Sequence, residues 1–274
     1  MTSHTLDSRV NARIVALNKD FALSQPEYLI AGNWKMNGLR TDADALAKGV
    51  AASASSAPAI TELLVCPPYL HLERVSAALA GSGAQFGGQD CHNEISGAFT
   101  GDVSAEMLAD MGCAYVIVGH SERRDGHREG DPAIWAKASA ALRAGLKPII
   151  CVGETEQERL AGKAEETVAR QVRACTPDGV TGDRIALAYE PVWAIGSGRT
   201  PTRDEIAAVH KAMRDALLDM LGADAGSGIR LLYGGSVKPS NAKEIMALDN
   251  VNGALIGGAS LKAEDFLGIA ASCA

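Results

Sequence analysis

The chain has 274 residues, 47% of them hydrophobic, and a net charge of −7 from 26 basic and 33 acidic side chains. That size and composition suit one large or two small globular domains and exclude an intrinsically disordered chain. The acidic balance argues against nucleic acid as the main partner. No apolar run approaches the roughly 18 residues that would make a membrane-spanning helix.

In chain order, residues 1–26 stand outside the core pattern and are read as an N-terminal extension. They lack the apolar stretch of a secretory signal, and Asp7 and Asp20 among Arg9, Arg13 and Lys19 spoil a transit peptide. Positions 10–23 have the pattern of a short amphipathic helix, to which no function is assigned. Residues 27–274 are expected to form a single catalytic domain. From Tyr28 onward, apolar runs of strand length alternate with longer segments of helical period. The predicted strands are 28–32, 62–66, 85–89, 115–119, 148–152, 185–189, 229–233 and 254–256. Between them the period predicts helices such as 42–55, 70–80, 134–143, 164–174 and 204–221. Asp131-Pro132 and Thr202 with Glu205 carry the caps and acidic first turns of helix starts. Roughly eight β/α units in about 250 residues match an α/β fold of the (β/α)8 kind, a closed TIM barrel. An open doubly wound sheet is the alternative, but no G-x-G-x-x-G follows the first strand.

Barrel chemistry gathers where strands end, so those positions are taken next. After the first strand come Asn33 and Lys35, whose spacing in an extended segment points both side chains the same way. Lys35 would meet an anionic substrate, or be one more solvated surface lysine. After the fourth comes His120, placed as an acid or electrophile, where a following helix N-terminus favours the neutral ring; a hydrogen-bonded structural histidine is the plain alternative. The sixth strand ends in Glu190, held extended by Pro191, a good position for a base. Val192 to Gly198 then read as a loop able to close over a small anion, with Trp193 and Ile195 packing and Gly196 exposing backbone N–H groups. An ordinary strand-to-helix loop is the other reading. Gly234-Gly235-Ser236 follows the seventh strand and Gly257-Gly258 the eighth. Such pairs let N–H groups approach a phosphate, although glycines also serve simply as turns. The six cysteines are scattered without metal-ligand spacing, as expected for reduced thiols in the cytoplasm. Cys151 alone lies near the candidate site.

Taken together, Asn33-Trp34-Lys35-Met36-Asn37, Gly119-His120-Ser121-Glu122-Arg123-Arg124, the run from Ala188 to Gly196, Tyr233-Gly234-Gly235-Ser236 and the run from Gly253 to Ser260 resemble the triosephosphate isomerase family. They occur in that family's order and cover the chain from about Tyr28 to its end. The resemblance implies interconversion of dihydroxyacetone phosphate and glyceraldehyde 3-phosphate, with no metal and no organic cofactor. It implies Glu190 as base, His120 as electrophile and proton relay, and Lys35 and Asn33 as stabilisers of the enediolate. Gly196, Ser236, Gly257 and Gly258 would hold the phosphate, and Glu122 would pair with Lys35. Glu154 and Tyr233 would anchor the lid in its open and closed forms. It further implies a homodimer, with Thr100 reaching the partner's site and Gln89 beside the interface. Ser197, Arg199, Pro201 and Asp90 depart from the commoner residues of that family. Another phosphate-binding barrel enzyme and a noncatalytic barrel scaffold are the competing readings. The first lacks the His120 and Lys35 contexts together, and the second requires the loss of a catalytic residue.

Overall fold

The structure, a computed structural model, describes residues 27–195 and 199–273. Eight parallel strands run in chain order: β1 (Tyr28–Asn33), β2 (Thr61–Cys66), β3 (Gln85–Gly88), β4 (Tyr115–Val118), β5 (Lys147–Val152), β6 (Ala186–Tyr189), β7 (Arg230–Tyr233) and β8 (Gly253–Ile256). Each pairs with the next, and β8 returns to β1 with Gly253 opposite Leu29 and Ile256 opposite Gly32. That last pairing closes the barrel and removes the open-sheet alternative. The strands read as unbroken apolar runs because both faces are covered. Leu29, Ala31, Leu64, Ile117, Ile149, Ala186, Ala188, Leu232 and Leu255 fill the interior. Ile30, Val65, Val116, Val118, Ile150, Leu187 and Leu231 face outward beneath the helices.

The helical layer consists of α1 (Arg40–Ser53), α2 (Leu72–Leu79), α3 (Ala105–Asp110), α4 (Ser121–Gly126), α5 (Asp131–Arg143), α6 (Glu156–Leu160), α7 (Ala164–Cys175), α8 (Arg203–Gly228), α9 (Pro239–Met246) and α10 (Ala263–Ala270). In α7 the buried positions Ala164, Val168, Val172 and Cys175 recur at helical spacing and turn one stripe onto the barrel. The start of α8 is fixed by a capping box, with Thr202 N–H donating to Glu205 at 2.7 Å and Glu205 N–H to Thr202 Oγ1 at 3.3 Å. Its regular part stops where the sequence pattern ends, because Gly222 has φ 79° and ψ 171°.

The amino-terminal mouth of the barrel is plugged. Arg230 Nη1 lies 2.8 Å from Glu62 Oε2, Arg230 Nη2 donates to the Tyr115 hydroxyl oxygen at 2.7 Å, and that hydroxyl donates to Glu62 at 2.9–3.0 Å. A nearly buried ion pair persists only when its charges are also hydrogen-bonded, as here. The opposite, carboxyl-terminal mouth carries the polar side chains.

Candidate active site

Strand alternation delivers two of the groups. The period that points Leu29 and Ala31 inward continues to Asn33, and the period of Ala186 and Ala188 continues to Glu190. Both polar side chains are therefore buried at the mouth. His120 arrives differently. Val116 and Val118 face the helices, and strict alternation would send His120 the same way. Gly119 breaks the run with φ 70°, a conformation that also removes a Cβ which would lie 2.8 Å from Ile134 Cδ1.

Lys35 reaches the mouth for a reason other than the expected one. The segment is not extended there: Lys35 has φ 53°. Its N–H donates to Asn33 Oδ1 at 3.0 Å, a side-chain turn that tolerates the left-handed backbone. Gln89 Nε2 secures the turn by donating to the carbonyls of Lys35 at 2.8 Å and Cys66 at 2.9 Å. Lys35 Nζ then pairs with Glu122 Oε1 at 2.6 Å, the pairing expected.

Glu190 and His120 meet directly, with His120 Nε2 2.9 Å from Glu190 Oε1. Helix α4 begins at this point and serves both. Ser121 N–H donates to Glu190 Oε2 at 2.9 Å, and Glu122 N–H donates to His120 Nδ1 at 3.2 Å. An Nδ1 that accepts leaves the ring proton on Nε2, facing the carboxylate. Glu190 is 2% exposed. Burial pushes its carboxyl up, but the adjacent imidazole, the Ser121 N–H and Lys35 outweigh burial and hold it below the ordinary range. Burial pushes the His120 ring down, and the Glu190 carboxylate outweighs that and raises it. A cavity of about 400 Å³ opens over Asn33, Lys35, Gln89, His120 and Glu122. Glu190 does not line it, because its carboxylate is turned against Ser121.

Two glycines make the slot for Glu190: Gly153, which sequence reasoning did not single out, and Gly234, which it read only as part of a phosphate turn. A Cβ at Gly153 would lie 1.8 Å from the Glu190 carbonyl oxygen, and one at Gly234 would lie 3.0 Å from Glu190 Cγ. Ser121 is also a residue that sequence reasoning missed; its only signal is that it opens a helix after the histidine. Cys151 faces the barrel interior, where burial and the nearby Glu190 charge raise its thiol well above its ordinary pKa. It is thus no nucleophile.

Beyond Glu190, Val192–Ala194 make one turn of 3-10 helix. The Trp193 indole N–H donates at 2.8 Å to Glu154 Oε1, which also accepts from the Tyr189 hydroxyl at 3.1 Å. Glu154 is fully buried, and burial raises its pKa. Ile195 is half-buried, and Gly196, with Ser197 and Gly198, lies outside the described residues. Tyr233 is buried between Tyr189 and His210. Ser236 and Gly258 are exposed, Gly257 is half-buried, and Gly258–Leu261 form a short 3-10 turn. A Cβ at Gly257 would come within 3.2 Å of Lys35 Cε and crowd the lysine. Thr100 is exposed.

A carboxylate, an imidazole and an ammonium gathered at the carboxyl ends of a closed parallel barrel define a (β/α)8-barrel enzyme of the acid–base type. Sequence comparison narrows the class. The family model for triosephosphate isomerase matches residues 28–273. The triosephosphate isomerase of Afipia carboxidovorans is 56% identical over 245 residues, covering 89% of this chain and 97% of that protein. That of Xanthobacter flavus is 56% identical over 242 residues, covering 88% and 96%. The crystal structure of triosephosphate isomerase from Bartonella henselae superposes with a TM-score of 0.83 at 46% identity, covering 90% of this chain and 98% of that one. The chain belongs to the triosephosphate isomerase family.

Proposed function

We propose that Glu190, His120, Lys35 and Asn33 carry out the interconversion of dihydroxyacetone phosphate and glyceraldehyde 3-phosphate in this chain, without metal or organic cofactor. The contact of Glu190 with His120 Nε2 at 2.9 Å is the observation that carries this reading. It supports a base and a proton donor acting on adjacent atoms of one small substrate. The carboxylate takes a proton from the hydroxyl-bearing carbon beside the carbonyl. The released electron pair forms the carbon–carbon double bond, and the carbonyl electrons move onto oxygen to give an enediolate. His120 gives its Nε2 proton to one oxygen and recovers a proton from the other. Glu190 returns its proton to the former carbonyl carbon. Because the resting carboxylate is turned to Ser121, it must swing away from that N–H to reach the substrate.

The enediolate charge needs donors already in place. Lys35, held by Glu122 and by the Asn33 turn, meets that need, as does the Asn33 amide. The turns at Gly257-Gly258 and at Ser236 supply backbone N–H groups for the phosphate. Gly196, outside the described residues, is assigned the same role. Val192–Ile195 is the near arm of a lid whose closure keeps water from the enediolate. Trp193 on Glu154 is its open anchorage, and Tyr233 is assigned to the closed one. A single positioned base contributes about 10²–10⁴-fold, so exclusion of water and preorganised donors must supply the rest.

The working unit is a homodimer. Met36 is 96% exposed and Tyr69 37% exposed, and both line the cavity over the catalytic groups. Ile95 and Phe99 are exposed near Thr100. Such an apolar rim suits a partner whose Thr100 loop closes the site. Gln89 is assigned to support that border, although its contacts here secure Lys35. The polar chemistry and reduced, buried thiols suit a cytoplasmic enzyme; among the described residues no helix is long and apolar enough to cross a membrane. Residues 1–26 are taken as an extension outside the catalytic domain 27–274.

The test is turnover of glyceraldehyde 3-phosphate, followed with a coupled dehydrogenase, on a sample whose mass is read by sedimentation. Rapid turnover by a dimer, lost by at least about 10³-fold in Glu190→Gln, is expected. Near-normal turnover in the variant would remove Glu190 as the base. A fully active monomer would remove the dimer from the account.

A further inference from the structure

Trp193, three residues past Glu190, is gripped by more than Glu154. Its carbonyl accepts from Arg199 Nη2 at 3.0 Å. Its ring has two guanidiniums beside it, Arg159 at 5.6 Å and Arg199 at 5.3 Å from the centroid, both within cation–π range. Each arginine is tied down at its far end. Arg159 Nη2 lies 2.7 Å from Glu205 Oε1, in the first turn of α8, and Arg199 Nη1 lies 2.6 Å from Glu156 Oε1, at the start of α6. The segment that follows the base is thereby fastened to two helices that contribute nothing to the chemistry.

We propose that Arg199 and Arg159 are positioning residues that latch Trp193 in the substrate-free arrangement and so set how readily the Val192–Ala194 turn moves when a triose phosphate binds. The side-chain type matters. A guanidinium can lay its plane on an indole while still donating to a carbonyl and a carboxylate, whereas a lysine offers a compact ammonium with no plane to stack and no fork to serve both partners. An ion pair as exposed as Arg199–Glu156 contributes little alone. Combined with the stacked ring and the carbonyl contact, it biases a two-state segment. A latch of this kind favours reopening, the step that releases product where lid motion limits turnover.

The inference rests on the isomerase reading, and wild-type turnover measured in parallel separates failure of that reading from failure of this one. Three variants probe the latch: Arg199→Met removes charge and donors, Arg199→Lys keeps a charge and donors but loses the planar fork, and Glu156→Gln frees the far end. The probe is glycerol 3-phosphate, a reduced triose phosphate that cannot isomerise. The Trp193 environment is read by 19F NMR of fluorotryptophan-labelled protein, assigned with Trp193→Phe. Arg199→Met is expected to bind glycerol 3-phosphate about threefold to tenfold more tightly. Its kcat and KM should fall together, and the Trp193 resonance should shift in the ligand-free protein. Arg199→Lys and Glu156→Gln should fall between wild type and Arg199→Met. Unchanged or weaker glycerol 3-phosphate binding in Arg199→Met overturns the proposal, whatever the resonance does. So does a rise in KM at constant kcat, the mark of a merely structural contact.

Discussion

Glu190 and His120 define each other's protonation. The carboxylate raises the imidazole against a burial that lowers it, and the imidazole is foremost in lowering the carboxyl against a burial that raises it. In Glu190→Gln the larger raising charge is gone and only Glu122 still raises the ring, while burial and Lys35 still lower it, so the His120 pKa should fall below its wild-type value, which lies above 6.5. A titration by 15N NMR of the labelled imidazole measures this directly, and an unmoved pKa would mean that the two side chains do not share their charge. On the proposed mechanism, reaction needs the carboxylate to leave this pairing. The same motion withdraws the charge that raises the ring and leaves a neutral donor at Nε2, the form suited to polarising a carbonyl.

At the scale of elements, the strand ends are the working parts, and their spacing depends on backbones that approach without side chains between them. Gly153 follows β5 and lies against the Glu190 carbonyl, so Gly153→Ala must push the end of β6 and its base out of line. A displacement of the order of 1 Å costs about a hundredfold in rate, so kcat/KM should drop by about that factor. Gly126→Ala, where a Cβ meets nothing within 4 Å, should stay within about twofold in the same assay. Equal effects from the two would refute the slot. This contrast also marks what was legible in the sequence. The eight strands were, because parallel strands buried on both faces are short apolar runs. Asn33, Lys35, His120 and Glu190 were, because each follows such a run. Gly153 was not, and Gly234 was read only as a phosphate turn, since their part in the Glu190 slot exists only once β5, β6 and β7 are in register. Lys35 was placed correctly for the wrong reason, its left-handed turn being invisible to a period of two. Helices α3, α4 and α6 have five or six residues each, too few to show a helical period.

For the whole molecule, stability and activity draw on different titrating groups. His210 in α8 is fully buried beside Tyr189 and Tyr233, its Nδ1 bonded to the Asn250 carbonyl at 2.9 Å. Burial lowers its pKa from 6.5 to about 4. The folded state therefore binds fewer protons than the unfolded one between those values. The stability His210 contributes is complete above pH 6.5 and is lost as pH falls to about 4, a change of about 3 kcal/mol. Urea midpoints across that range should decline in wild type and decline less in His210→Asn. Parallel slopes would show that His210 is not the group responsible. On the proposed mechanism activity draws instead on the Glu190–His120 pair, whose carboxyl is held below and whose ring is held above its ordinary value. The central claim is that Glu190 carries a proton through an enediolate, and isomerisation in heavy water tests it most directly. Product isolated at partial conversion should carry solvent deuterium on the carbon that receives the proton, because a carboxyl proton exchanges with solvent. Rapid conversion with no solvent deuterium in the product or in recovered substrate would mean that hydrogen passes between the carbons without meeting solvent, as in direct hydride transfer, and would contradict the account.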